Sequence, residues 1–126
     1  IENDIIWYLD YVPNEQVVPL MQMVDIVALP YRAITQSGIL QIAYACGKPV
    51  VATEVGGLGD AIEHGGSGLL TEPGNLDAYA DALIELLNDD EKRQQMSNRA
   101  LELAESKYSW LSVAKRVMNA MENALK

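Results

Sequence analysis

Asp25-Ile26-Val27-Ala28-Leu29-Pro30, then a polar loop and a helical stretch closed by Gly47, then Pro49-Val50-Val51-Ala52-Thr53, together decide the fold class. The first run is almost continuously apolar and stops at a proline, as a strand covered on both faces does. Ser37 to Cys46 predicts a helix, with Gly47 placed where a C′ residue takes a positive φ. The second apolar run is a further strand, broken by Gly56-Gly57. A strand, a crossover helix and a second strand make the repeating unit of a parallel α/β sheet.

The flanks continue this alternation. Upstream, Ile5-Ile6-Trp7-Tyr8 predicts a first strand, and Val12-Pro13-Asn14 a turn in which Asn14 caps a helix from Glu15 to Met23. Downstream, a short helix from Asp60 to His64 ends at Gly65-Gly66, and Gly68 to Thr71 is a fourth strand before the turn Pro73-Gly74. Asn75 then caps a helix with Leu76, Tyr79, Ala80, Leu83, Leu86 and Leu87 along one stripe. Glu91 to Lys107 and Leu111 to Leu125 predict two more helices. The chain contains no internal repeat and no low-complexity linker.

Composition narrows the function classes. The 126 residues suit one domain, and 18 Asp plus Glu against 9 Lys plus Arg leave a net charge of -9. That balance excludes a general nucleic-acid binder, whose footprint is basic. It leaves room for a small anionic ligand at a helix terminus. A single cysteine, Cys46, excludes an intramolecular disulfide and a multi-thiolate metal site. No apolar run approaches the roughly 20 residues of a spanning helix, and no cleavable signal opens the chain. A cytoplasmic location is therefore expected. The start at Ile1-Glu2-Asn3-Asp4, without an initiator Met, suggests a piece of a longer protein.

The sharpest candidate for chemistry is Pro30 to Gly38, which leaves the carboxyl end of a buried strand and enters a helix. Ligands of open α/β sheets bind in that crevice. Thr35, Gln36, Ser37 and Gly38 are small or polar, so backbone N–H groups there can face a phosphate. The alternative is plain capping by Thr35 or Ser37. Gly56-Gly57-Leu58-Gly59 forms a second loop on the same rim, or simply a tight turn requiring positive φ. Neither loop matches a P-loop or a G-x-G-x-x-G pattern, which weighs against an ATPase and a dinucleotide dehydrogenase. His64, the only histidine, lacks partners at metal-ligand spacing and reads as a surface group, as does Glu63. Tyr108 and Trp110 read as anchors between helices, and Cys46 as a small core residue.

Gln41 to Thr53, followed by Glu54-Val55-Gly56-Gly57, resembles the nucleotide-binding half of the family 4 (group 1) glycosyltransferases. The likeness extends along nearly the whole chain. Tyr11-Val12-Pro13 is similar to the family's Gly-Tyr-Val-Pro turn, and Val24-Asp25 to its Ala-Asp before a strand. Glu63 to Leu70 resembles its Glu-x-Gly-x-x-Gly-Leu-Leu segment, Pro73-Gly74-Asn75 its next turn, and Tyr108-Ser109-Trp110 its Phe-Ser-Trp. The resemblance implies a partial Rossmann-like parallel sheet with C-terminal helices: the C-terminal, donor-binding half of a GT-B enzyme, over residues 1–126. It implies transfer of a sugar from a nucleotide-sugar donor with retention, no metal, and a carbohydrate or glycolipid acceptor held by the other half. Work in polysaccharide biosynthesis at the cytoplasmic face of the inner membrane fits this role. Donor binding falls on Thr35, Gln36, Ser37 and Gly38, with Val12 and Pro13 bordering the base; no catalytic residue is identified.

Two departures stand out. The family's Glu-x7-Glu signature falls on Ile34 and Ile42, so both carboxylates are missing, and Gln36 and Ser37 are expected to hydrogen-bond the donor in place of the first. The two β-α units that carry the family's diphosphate-binding Arg and Lys are also absent. The order 3-2-1-4-5-6 places those strands in the middle of the sheet and leaves the Ile5 to Tyr8 strand without a neighbour beside Asp25 to Leu29. An inactive fragment that repacks this strand, pairs edges with another copy as a homo-oligomer, or exposes an adhesive edge is therefore expected. A non-catalytic flavodoxin-like signalling module is an alternative, although Asp25 lies at the wrong end of its strand for a phosphoacceptor. A GT-B sugar-nucleotide epimerase is another; a phosphorylase would need its cofactor lysine elsewhere than Lys48.

Overall fold

The computed structural model describes residues 2–124. A short 3-10 turn at Glu2–Asp4 is followed by α1 (Asn14–Met23), β1 (Val27–Leu29), α2 (Gly38–Ala45), β2 (Val50–Thr53), α3 (Leu58–Ala61), β3 (Gly68–Thr71), α4 (Leu76–Asn88), α5 (Asp90–Ser106) and α6 (Trp110–Ala124). The three strands form one parallel sheet in the order β1-β2-β3, with Val27 opposite Val50 and Val50 opposite Gly68. All four residues of the central β2 are buried, as a strand covered on both faces requires.

Strand alternation divides the core in two. Val27, Leu29, Val50 and Ala52 point toward α2, α3 and the C-terminal part of α5, meeting Leu40, Ala43, Tyr44, Leu58, Ala100 and Leu103. Val51 and Leu69 point the other way, toward Ala82 and Leu86 of α4 and Met96 of α5. α5 thus crosses from one layer to the other. Its approach to α2 is close because Gly47 has φ +66 and no side chain; a Cβ there would sit 3.1 Å from Leu101. Ser97 Oγ seals the contact by donating to the Gly47 carbonyl at 2.6 Å.

Several sequence expectations require correction. Ile5 to Tyr8 is not a strand: the segment is irregular, and Ile6, Trp7 and Leu9 stand in solvent. A strand needs a ladder partner, and among the described residues none pairs with the outer edge of β1. Asn14 is the first residue of α1, not its cap; Pro13 precedes the helix, and the Asn14 side chain instead accepts from the Tyr11 hydroxyl at 3.2 Å. The third helix spans Leu58–Ala61 instead of Asp60 to His64. On α4 the buried stripe runs through Ala82 and Leu86 with Tyr79 and Leu83 beside it, whereas Leu76 and Leu87 are exposed. Asn75 does cap α4, accepting from Ala78 N at 3.0 Å. Trp110 is no anchor, being 88% exposed, because α6 packs no residue into the core. The expected end of the last helix at Leu125 lies outside the described residues.

Candidate functional site

Two loops at the carboxyl edge of the sheet build the rim. After β1, Pro30 to Gln36 leads to Ser37, whose backbone is extended and whose Oγ accepts from Leu40 N at 3.3 Å. Ser37 therefore caps α2, and the cap holds the loop at the helix start. The Thr53 hydroxyl, at the end of β2, donates to the Tyr31 carbonyl at 2.5 Å and pins the loop's other end. Between them, Gly57 N donates to the Thr35 carbonyl at 3.0 Å. Gly56, at φ +52, passes so near the first loop that a Cβ would lie 1.7 Å from the Ile34 carbonyl oxygen. The glycine pair thus serves both as a positive-φ turn and as the place where the two loops touch.

Beneath the rim lies a tyrosine-centred support. Tyr44 is fully buried and its hydroxyl shares a 2.5 Å hydrogen bond with Ser67 Oγ, which also accepts from Glu63 N at 3.1 Å. Burial pushes the Tyr44 hydroxyl up to about 12, so it stays neutral. Tyr108 stacks at a tilt against Tyr44 with ring centres 6.2 Å apart and donates to the Ala61 carbonyl at 3.3 Å. Tyr108 is therefore an anchor, as its sequence position suggests.

A cavity of about 290 Å³ opens between α2, α3 and the end of α5. Gln36, Ser37, Gln41, Asp60, Lys107 and Tyr108 line it. The Lys107 ammonium lies 5.4 Å from the Tyr108 ring centre and 3.3 Å from the Asp60 carbonyl oxygen. On the opposite side of α2's first turn, Val12 and Ile39 share an apolar groove of about 340 Å³ beside β1. The structure thus brings Gln36 and Ser37 to one flank of the helix start and Val12 to the other. Thr35 contributes its carbonyl to the loop contact, Pro13 sits at the head of α1, and Gly38 is exposed with nothing within 4 Å of a Cβ. Helix geometry leaves the amides of Gly38 and Ile39 without intrahelical acceptors.

Ile34 is half-buried against the core and Ile42 is half-buried on α2, so neither position presents a carboxylate to the rim. Asp60, Gln41 and Lys107 escaped sequence reasoning as site residues. Lys107 lies 70 positions from Ser37 and lines the same cavity only because α5 ends beside α2, a tertiary fact without a local signal.

His64 and Glu63 have structural partners. His64 Nδ1 accepts from Leu70 N at 3.0 Å, fastening the turn to β3. Glu63 is not merely solvated: Arg99 grips both its oxygens at 2.7 Å, and that guanidinium holds the Glu63 carboxyl below its ordinary value. Cys46 is half-buried and unpaired as a thiol. Among the described residues, no three His, Cys, Asp or Glu side chains come together to hold a metal, and no helix is long and apolar enough to cross a membrane.

Comparison with known proteins places this rim in context. Residues 1–89 match the family model described as glycosyl transferases group 1. A D-inositol 3-phosphate glycosyltransferase of Corynebacterium urealyticum is 42% identical over 107 residues, covering 84% of this chain and 25% of that protein. The chain spans about a quarter of the length of the curated relatives it matches. Among solved structures, Anabaena HepE in complex with UDP-glucose is 28% identical with a TM-score of 0.74, over 84% of this chain and 30% of HepE. Sucrose-phosphate synthase from Thermosynechococcus elongatus gives a TM-score of 0.84 at 21% identity, over 97% of this chain and 31% of the synthase, a likeness of fold. The parallel sheet, the rim and these matches agree, and the chain belongs to the group 1 glycosyltransferases.

Proposed function

We infer that this chain holds the nucleotide-sugar donor of a retaining glycosyltransferase, with a uridine diphosphate sugar as the donor class. The observation that carries the reading is the start of α2. A Ser37-capped turn at the carboxyl edge of a parallel sheet is locked by Gly56-Gly57 and leaves the Gly38 and Ile39 amides without intrahelical acceptors. Those amides and the positive end of the helix suit a diphosphate in the ground state and as a leaving group. Kinship to HepE, whose structure holds UDP-glucose, supports the donor class.

In this reading Gln36 and Ser37 take the place of the missing carboxylate at Ile34, Thr35 shapes the turn, and Val12 with Pro13 borders the base. No metal is required, because amide donors and basic side chains balance the departing charge. The acceptor, a carbohydrate or glycolipid, is held by the remainder of the enzyme at the cytoplasmic membrane face, and residues 1–126 alone are inactive.

Gly38 offers a clean test because a methyl group there meets no protein atom within 4 Å. Calorimetric titration of the full-length enzyme with UDP-glucose, UDP and glucose should show binding of the first two, weakened roughly tenfold or more by Gly38→Leu at unchanged melting temperature. Equal affinity in wild type and variant overturns the assignment. Product analysis then separates transfer, which yields a new glycosidic bond, from epimerisation of the donor.

A further inference from the structure

We propose that the other face of the same sheet edge carries a separate subsite for a neutral, polyhydroxylated ring such as a sugar. There, α4 packs behind β2 and β3, and a cavity of about 260 Å³ opens between the β1 exit loop and the β3–α4 turn. It is distinct from the Gln36–Lys107 cavity and shares no lining residue with it.

Its lining has the chemistry of a hydroxyl reader. Arg32 and Glu72 reach it from opposite loops, one supplying guanidinium donors and the other carboxylate acceptors. Both are exposed, and neither is in an ion pair or side-chain hydrogen bond among the described residues. Asn75 uses its Oδ1 to cap α4, which leaves its amide NH2 available to donate. The half-buried rings of Tyr31 and Tyr79 supply apolar walls, and Tyr79 is fixed by its hydroxyl donating to the Val51 carbonyl at 2.9 Å. Gly74, with φ +84 and no atom within 4 Å of a Cβ, leaves the mouth open.

Two features select the ligand class. A lining that includes both a carboxylate residue and a guanidinium residue disfavours a phosphate, whereas mixed donors and acceptors suit vicinal hydroxyls, with tyrosine rings for the C–H faces. Independently, the Thr71 hydroxyl is buried without a hydrogen-bond partner. Thr71 stands opposite Thr53 in register, on the α4 side of the sheet, and directly precedes Glu72. Thr71 does not itself line the cavity; its register partner Thr53 and its neighbour Glu72 do.

The proposal does not depend on the donor site, and its test keeps the two apart. Amide and side-chain chemical shifts of the enzyme would be followed during titration with glucose, galactose, mannose and N-acetylglucosamine, with inorganic phosphate as a separate arm. At least one sugar should shift the Asn75 side-chain amide and the Thr53 and Leu76 backbone amides while leaving Gly38 and Ile39 unmoved. Arg32→Ala and Glu72→Gln, both at exposed positions, should each weaken that binding roughly tenfold with melting temperature unchanged. The proposal is overturned if no sugar moves these resonances, if phosphate alone moves them, or if both variants bind as wild type. Loss of UDP-glucose binding at Gly38 would bear on the donor reading only.

Discussion

α5 and α6 are consecutive helices of 17 and 15 residues, and the more apolar-striped of the two is the one left in solvent. α5 is largely polar, yet it buries Met96, Ala100 and Leu103 and carries Ser97 onto the end of α2. α6 sets Trp110, Leu111, Val117, Met118 and Met121 at helical spacing and buries none of them. An apolar stripe therefore records which face a helix can bury; burial also needs a complementary surface. α5 has that surface because Gly47 and small residues let two backbones approach.

The comparison predicts its own largest effect. Met96→Ala should destabilise the chain by about 3 kcal/mol, through lost burial and the cavity left behind. Met118→Ala on α6 should change stability by less than about 0.5 kcal/mol. Chemical denaturation of the two variants decides; similar losses would mean that α6 is packed after all. A second contrast lies within the rim. Gly56→Ala places a methyl on the Ile34 carbonyl at positive φ and should cost roughly 2 kcal/mol or more, whereas Gly65→Ala, also at positive φ but with no atom within 4 Å, should cost less. Equal melting temperatures for the two would break the claim that the loops interlock.

Smaller effects sharpen the picture. Ser37→Ala removes the α2 cap and should cost about 1 kcal/mol. Glu63→Gln loosens the Arg99 grip, an exposed, solvent-screened pair whose loss should have the smallest effect of these. Because Arg99 holds the folded Glu63 carboxyl below its ordinary value, this contribution is present above the unfolded pKa and lost as pH falls through the lower folded one. The wild type minus Glu63→Gln difference, followed from neutral to acidic pH, should therefore shrink; a difference that grows on acidification would contradict the sign.

Much of the fold was legible because β1, β2 and β3 are nearly pure apolar runs punctuated by Pro30, Gly56 and Pro73-Gly74. The Asn75 cap was legible too, since capping is a local interaction, and the α2 cap was narrowed to Thr35 or Ser37, of which Ser37 is the one that caps. Ile5 to Tyr8 misled for the opposite reason: its strand propensity is local, but strand formation is decided by a neighbour. Asn14 failed as a cap because Pro13, with its fixed φ, already sets the helix start one residue earlier. At the rim, Gln36 and Ser37 could be read from their place after a strand. Asp60, Lys107, Glu72 and Tyr79 join their cavities through tertiary packing, which spacing along the chain does not encode.

The claim that the α2 start receives the donor is tested most directly by hydrogen exchange of the full-length enzyme with and without UDP-glucose. Protection should appear at residues 35–40 and at the touching loop around Gly56 and Gly57, and be lost in Gly38→Leu. No protection there, or protection confined to other parts of the chain, would contradict it.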